Sequence, residues 1–208
     1  MLRIGLIDYG MGNLHSVQRA LERLDADVVP VAVAAAMDHC DALVLPGVGA
    51  FDPAMEQLHQ VELVAPLQQW CGAGQPLLGI CLGLQLLFEG SDEGQAAGLG
   101  VLAGRVKALP RRPGHLIPHM GWEPLRPAEP SPLLPAGSPE AWMYFVHSYA
   151  VQPSDPDCTT AWVRFAGEDI TAAVWQGSVG ACQFHPEKSG SCGAAMLARW
   201  LDWLAARP

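Results

Sequence analysis

Charge is scarce in this chain: 16% of its 208 residues are Asp, Glu, Lys or Arg, against about a quarter in an average globular protein. Half of the residues are apolar, so most of the chain can be buried and a disordered protein is excluded. Positive charge is scarcer still. Twelve Lys and Arg face 21 Asp and Glu, giving a net charge of −9 and a pI near 5.1, the reverse of the footprint that neutralises phosphates. Nucleic acid and an anionic membrane are poor partners. Long hydrophobic runs are missing too: the longest apolar stretch, Leu77 to Phe88, is broken by Gly79, Gly83 and Gln85, where a spanning helix needs about 20 residues. The opening apolar run is interrupted by Asp8 and is too short for a secretory signal, so the chain is expected to start as mature, soluble protein. The six cysteines form no CxxC pair and no zinc-like cadence, which predicts reduced thiols, a cytoplasmic setting and no metal site. With no composition shift and no repeat, residues 1–208 are expected to form one domain.

What is present reads as alternating strands and helices. Leu2 to Ile7, Val28 to Val31, Ala42 to Leu45 and Leu77 to Ile80 are buried-strand runs. Leu14, Val17, Leu21 and Leu24 repeat at helical spacing behind Asn13, a candidate N-cap. Asp52-Pro53 predicts a helix start for a segment reaching Trp70, and Leu82 to Glu89 a buried helix stopped by Gly90. Such alternation means a mostly parallel sheet covered on both faces, an α/β fold. Pro110 to Pro139 holds nine of the 18 prolines and is expected to be loop with short edge strands. From Ala141 the pattern turns β-like, with further runs at 161–165, 170–175 and 179–184, which predicts antiparallel hairpins added to the parallel sheet. A last helix, Gly193 to Ala206, carries Leu197, Trp200, Leu201 and Leu204 on one stripe, with its tryptophans expected in the core.

The sharpest chemical feature is Gly79-Ile80-Cys81-Leu82-Gly83, an apolar strand feeding a helix through G-x-C-x-G. This is a nucleophile elbow with sulfur in place of the hydroxyl. Its glycines let backbones pass closely around a strained turn, and the helix N-terminus favours thiolate over thiol. Alone, the pentapeptide is equally compatible with a buried structural cysteine. Gln183-Phe184-His185-Pro186-Glu187 supplies a base at the end of the last expected strand. His185 and Glu187, two apart, share a face in extended chain, so the carboxylate can orient the imidazole and leave its other nitrogen for sulfur. A third element, Pro46-Gly47-Val48-Gly49-Ala50-Phe51, again follows a strand. Its N–H groups, with that of Leu82, could hold an oxyanion, although a PGxG turn by itself is also an ordinary strand-to-helix connection.

These motifs, PGVGAF, GICLGLQLLFE, YFVHSY and QFHPEKS, occur in this order over nearly the whole chain and resemble class I (triad-type) glutamine amidotransferases. Ile7 to Asn13 (IDYGMGN) and Pro118 to Trp122 (PHMGW) narrow the resemblance to the glutaminase subunits of imidazole glycerol phosphate synthases of histidine biosynthesis. The resemblance implies glutamine hydrolysis without a cofactor, with ammonia passed to a separate (β/α)8-barrel cyclase subunit as heterodimer partner. It implies Cys81 as nucleophile, His185 as base and Glu187 as orienter. It further implies oxyanion donors near Val48 and Leu82, glutamine held by Gly49, Gln85 and the backbone of Ser148 and Tyr149, and partner contacts at Asn13, Trp122 and Lys188. The chain departs from the family's usual pattern at Glu123, where Asn is usual. His119 and His147 are expected to serve in packing or partner contact, and His15, His39, His59 and His115 on the surface or in caps. Two other readings stay open: a glutaminase serving another partner or acting as a free γ-glutamyl hydrolase, and a non-catalytic regulatory subunit of the same fold. The DYGMGN and PHMGW stretches argue against the first alternative, and the complete Cys-His-Glu set against the second.

Overall fold

The computed structural model describes residues 1–135 and 140–207. Its first half runs β1 (Arg3–Ile7), α1 (Leu14–Glu22), β2 (Asp27–Val31), β3 (Ala42–Gly47), α2 (Phe51–Gln60), α3 (Val64–Gly72), β4 (Leu77–Cys81) and α4 (Leu82–Leu86). The second half adds β5 (Gly104–Ala108), β6 (His119–Pro124), β7 (Arg126–Pro127), β8 (Trp142–His147), β9 (Tyr149–Pro153), β10 (Thr159–Phe165), β11 (Glu168–Gln176), β12 (Val179–Cys182) and α5 (Gly190–Ala205). One eight-stranded sheet is ordered β2-β1-β3-β4-β12-β11-β10-β7. It is parallel from β2 to β12 and antiparallel beyond, so the α/β architecture is as expected.

Alternation along the buried strands sends side chains to two separate cores. Ala42 and Val44 of β3 join Val17 and Leu21 of α1 and Met196, Leu197, Trp200 and Leu204 of α5. Leu43 and Leu45 face the other way, onto Phe51, Met55 and Leu58 of α2 and Leu84 of α4. Trp200 is fully buried, and Trp203 packs edge-on against Trp175 with ring centroids 4.7 Å apart.

Five expectations are corrected. The helix read from Asp52 to Trp70 is two helices: the turn between them passes through Glu62 at φ 58°, because Pro66 has no N–H for the Glu62 carbonyl and its ring would clash there in a continuous helix. Asp52 does not cap α2; its carboxylate accepts the N–H groups of Gln95 and Ala96, while Glu93 takes that of Phe51 at 2.9 Å. The helix after Cys81 ends at Leu86, three residues early, since Leu99, Val101 and Leu102 turn back to bond the carbonyls of Leu86 and Leu87. β8 and β9 stay out of the large sheet and form separate two-stranded ribbons with β6 and β5. The sheet itself stops at β7, where Pro127 offers no donor. The last helix begins at Gly190, not Gly193. Of the proline-rich 110–139 segment, residues 136–139 lie outside the described ones; the rest is loop apart from β6 and β7. Among the described residues no helix is long and apolar enough to cross a membrane, and all six cysteines are unpaired.

The glycines of the elbow hold the centre together. A methyl group on Gly83 would run into the backbone carbonyl of Leu45 on β3, which cannot yield. Gly72, at the end of α3, has nothing within 4 Å of such a position. Gly83→Ala should therefore cost more than about 2 kcal/mol of stability through forced backbone movement, whereas Gly72→Ala should be neutral or add up to about 1 kcal/mol. Urea unfolding of the two variants checks the contrast; equal midpoints would show that β3 and α4 are not in contact as described.

Candidate active site

Parallel strands β1, β3, β4 and β12 end on the same edge of the sheet, and open α/β sheets build their sites at that edge. Cys81 ends β4 with φ 55° and ψ −110°, a conformation that costs a non-glycine residue about 1–3 kcal/mol and persists only when its surroundings impose it. They do so through contact. A side chain on Gly47 would meet the Tyr9 hydroxyl at 2.5 Å, and one on Gly79 would press on Ala181 and Leu87 at 3.0 Å. Tyr9 is buried beneath the turn and donates to the Pro46 carbonyl at 2.9 Å. Register pairs Gly47 with Cys81, so the next residues, Val48 and Leu82, leave adjacent strand ends side by side. Leu82 opens α4 and so has no intrahelical acceptor for its N–H. The tight backbone of Gly49, at φ 109°, lies under Met11.

His185 follows β12, next to β4, and is placed by its backbone as much as by its ring. Its N–H donates to the Tyr144 carbonyl at 2.9 Å. Its carbonyl accepts the Ser189 hydroxyl at 2.6 Å, and that hydroxyl in turn accepts the Tyr144 N–H at 2.9 Å. Pro186 opens a short 3-10 turn that swings the Glu187 carboxylate back onto the imidazole, 2.8 Å from Nδ1, with both side chains almost fully buried. A carboxylate can only accept, so Nδ1 carries a proton and Nε2 is left toward the sulfur. Burial alone would lower the imidazole's pKa, but the facing Cys81 sulfur and Glu187 carboxylate outweigh it and raise it to about 9. By contrast, burial pushes the thiols of Cys71 and Cys158 up to about 12 and 11 and raises that of Cys182 well above its ordinary value, which keeps them protonated.

A cavity of about 280 Å³ opens over this pair, lined by Cys81, His185, Val48, Gly49, Leu82, Gln85, Ser148 and Tyr149. The expected oxyanion and substrate-binding residues thus converge with Cys81 and His185 on one concavity, and Glu187 stands behind it against His185. The cavity also takes in Glu93, Pro118, Val146 and His147, which the sequence did not place there. Gln183 was missed as well. Fully buried, it receives Gln85 Nε2 on its Oε1 at 3.0 Å and directs its own Nε2 to Cys81 Sγ at 3.8 Å. The signal was available, since Gln183 stands two residues before His185 in extended chain and so shares its face.

The three expected partner contacts lie on the surface around this edge. Asn13 is exposed and caps α1, accepting the Ser16 N–H at 3.3 Å. Lys188 is exposed beside Glu187 and makes no ion pair among the described residues. Trp122, 48% exposed, sits on β6 against Tyr144. Met120, Trp122 and Pro124 share one face with Val146, Tyr144 and Trp142 across the β6–β8 ribbon, leaving an apolar stripe that runs to the cavity's edge. Among the described residues no cluster of His, Cys, Asp and Glu could hold a metal ion.

Comparison with known proteins identifies the family and the fold. The chain resembles "Imidazole glycerol phosphate synthase subunit HisH 2" of Prochlorococcus marinus (strain MIT 9313), 58% identical over 97% of this chain and 95% of that one. It also resembles "Imidazole glycerol phosphate synthase subunit HisH" of Synechococcus sp. (strain CC9605), 56% identical over 98% and 95%. A solved glutamine amidotransferase superposes with a TM-score of 0.76 at 20% identity, covering 98% of this chain and 99% of that one, which shows the shared fold. With residues 5–202 matching the family model of glutamine amidotransferase class-I, the chain belongs to the class-I glutamine amidotransferases.

Proposed function

We propose that this protein hydrolyses L-glutamine to L-glutamate and ammonia through a thioester on Cys81, and that the ammonia goes to a (β/α)8-barrel cyclase subunit, its heterodimer partner in histidine biosynthesis. The observation that carries the reading is the buried Cys81–His185–Glu187 set, with Cys81 and His185 lining a cavity, in a chain more than half identical to subunits of imidazole glycerol phosphate synthase. The sulfur attacks the side-chain amide carbon, and the carbonyl electrons move onto oxygen, toward the N–H groups of Val48 and Leu82. His185, protonated up to about pH 9, gives its Nε2 proton to the nitrogen as the C–N bond breaks, and ammonia leaves. Water then attacks the thioester while His185 takes back a proton, releasing glutamate. Gly49, Gln85 and the backbone of Ser148 and Tyr149 hold the substrate. Asn13, Trp122 and Lys188 meet the partner. A non-catalytic role would leave the buried Glu187 carboxylate without a purpose that repays its desolvation.

A glutamine-analogue electrophile should label Cys81 and no other thiol, because Cys71, Cys158 and Cys182 are held protonated by burial. Peptide mass mapping reads this directly, and an adduct on Cys71, Cys182 or Cys192 would remove Cys81 from the nucleophile's place. Cys81→Ala should abolish glutaminase activity and leave the partner's reaction with added ammonium intact.

Within the triad the costs should differ. His185→Ala removes proton transfer and should fall to the Cys81→Ala floor, while Glu187→Gln should stay above it. The imidazolium is the acid that releases ammonia, so activity should decline as pH rises through about 9. Glu187→Gln, which takes away one of the two groups raising that value, should move the decline to lower pH. The same sign governs stability: a group raised above its unfolded value stabilises fully below about 6.5, and the contribution fades as pH rises through 9. A pH–rate profile unchanged in Glu187→Gln would deny Glu187 the orienting role.

Lys188→Ala should weaken docking or stimulation by the cyclase by about 1–3 kcal/mol if its charge is paired in the interface, and leave partner-free hydrolysis nearly unchanged. Titration of glutamate release with cyclase measures both. Equal losses with and without the partner would place Lys188 in the chemistry instead.

A further inference from the structure

Two buried histidines stand beside the site without a part in the reaction just described. His119 on β6 and His147 on β8 are each 5% exposed and register-paired across the ribbon. Three contacts string them together. His147 Nδ1 lies 2.9 Å from the Tyr149 carbonyl, His147 Nε2 lies 3.1 Å from His119 Nδ1, and His119 Nε2 lies 3.6 Å from the Glu123 carboxylate.

Counting protons along this row decides its state. Both ends, a carbonyl and a carboxylate, can only accept, so the outer nitrogens must both donate and the central contact needs one proton between two nitrogens. Three protons are required. Two neutral imidazoles carry two. The carbonyl end takes one, which fixes His147 as the Nδ1–H tautomer; His119 then donates its own Nδ1–H inward, and its Nε2 is left facing Glu123 with no proton. The distances agree with this order, since the two inner contacts are at hydrogen-bond length and the outer one is longer. His119 Nε2 is indeed a buried nitrogen without a hydrogen-bond partner among the described residues.

The inner end of the row acts on the site. The Tyr149 carbonyl accepts from His147 and also from Gln85 Nε2 at 3.1 Å, and that same nitrogen donates to Gln183, whose amide reaches Cys81. Both lone pairs of the carbonyl are then occupied, and the backbone at Ser148 and Tyr149 cannot rotate away from the cavity it lines. We propose that His147 is a positioning residue for the glutamine-binding backbone, that His119 holds it in that tautomer by donating to its Nε2, and that the row closes fully when one further proton is shared between His119 and Glu123. This rests on the reading of Ser148 and Tyr149 as contacts to glutamine.

The groups facing His119 set where that proton binds. Glu123 on its own strand favours it. Burial opposes it and lowers the imidazole's pKa below its ordinary value. From β8, His147 is itself pushed down to about 4, first by burial and further by His119 and His185, so it takes no second proton at moderate pH. From β10, Arg164 borders the same open cavity as His119 and Glu123, with its charge engaged by Asp169 at 3.1 Å. From the preceding loop His115 reaches that cavity too, its ring edge-on to Phe165.

Nitrogen-15 NMR of the histidine-labelled protein between pH 5 and 8 tests the row without any turnover. His147 should hold the Nδ1–H tautomer throughout, while His119 keeps Nδ1–H and gains an Nε2 proton as pH falls. Glu123→Gln places an amide donor against His119 Nε2 and should shift that titration to lower pH. An Nε2–H tautomer for His147, or a titration of His119 indifferent to Glu123→Gln, overturns the proposal. Kinetics supply the second arm. His147→Ala should raise KM for glutamine about tenfold, the worth of one lost hydrogen bond, with kcat changed less. His147→Asn, whose amide N–H stands where the imidazole Nδ1–H stood, should recover most of this, and His147→Leu should not. Equal behaviour of Asn and Leu would make His147 a packing residue; if His147→Ala does not fold, the Asn and Leu pair still decides. Absence of glutamine turnover in the unaltered protein would instead defeat the glutaminase reading, and the NMR result would stand apart from it.

Discussion

The approach of Gly83 to the Leu45 carbonyl is the constraint on which the rest depends. It lets α4 start directly against β3, which forces the chain to turn at Cys81 through a left-handed conformation and points that side chain out of the sheet. A wider turn would move the sulfur away from β12 and therefore from His185. The strain at Cys81 is held by neighbours that leave no room for relaxation: Tyr9 under Gly47, Ala181 and Leu87 against Gly79. Packing thus fixes a position that local propensity opposes.

Around that turn nearly every buried polar group has a partner, and the partners interlock. Ser189 ties the His185 carbonyl to the Tyr144 N–H, Gln183 links Gln85 to the sulfur, and His147 shares the Tyr149 carbonyl with Gln85. Such a network is costly when incomplete and rigid when complete. Its exceptions, His185 Nε2, Glu187 Oε2 and His119 Nε2, lie at the site and beside it, where a substrate or a proton can serve as the missing partner.

Much of this was legible in the sequence because it rests on short-range rules. Apolar alternation gave the strands, Asn13 its cap, and two-residue spacing the His185–Glu187 face. What could not be read depends on contacts between distant segments. The loop at 91–102 borrows the end of α4 and captures Asp52, so neither the helix end nor the role of Asp52 had a local signal. Pro66 was a visible exception: its position four residues after Glu62 is a local rule that splits the helix. Tyr9 and Glu93 reach the site only through the crossing order of the sheet, which periodicity does not encode.

The placement of the cavity bears on the product's fate. On the proposed reading, ammonia stays neutral only where water is kept out, since the proton that His185 delivers completes NH3 and any further proton makes a charged ion that an apolar passage rejects. Cys81 and His185 are 7% and 2% exposed, while Val48 and Pro118 on the lining of the same cavity are exposed. Val146 belongs to the same face of the β6–β8 ribbon as Met120 and Trp122, which are 61% and 48% exposed. An apolar stripe that reaches the cavity's lining at Val146 is costly to leave in water and is relieved by a partner that covers it. On the proposed reading the surface that docks is also the surface that seals, which ties release of ammonia to the presence of the subunit that consumes it.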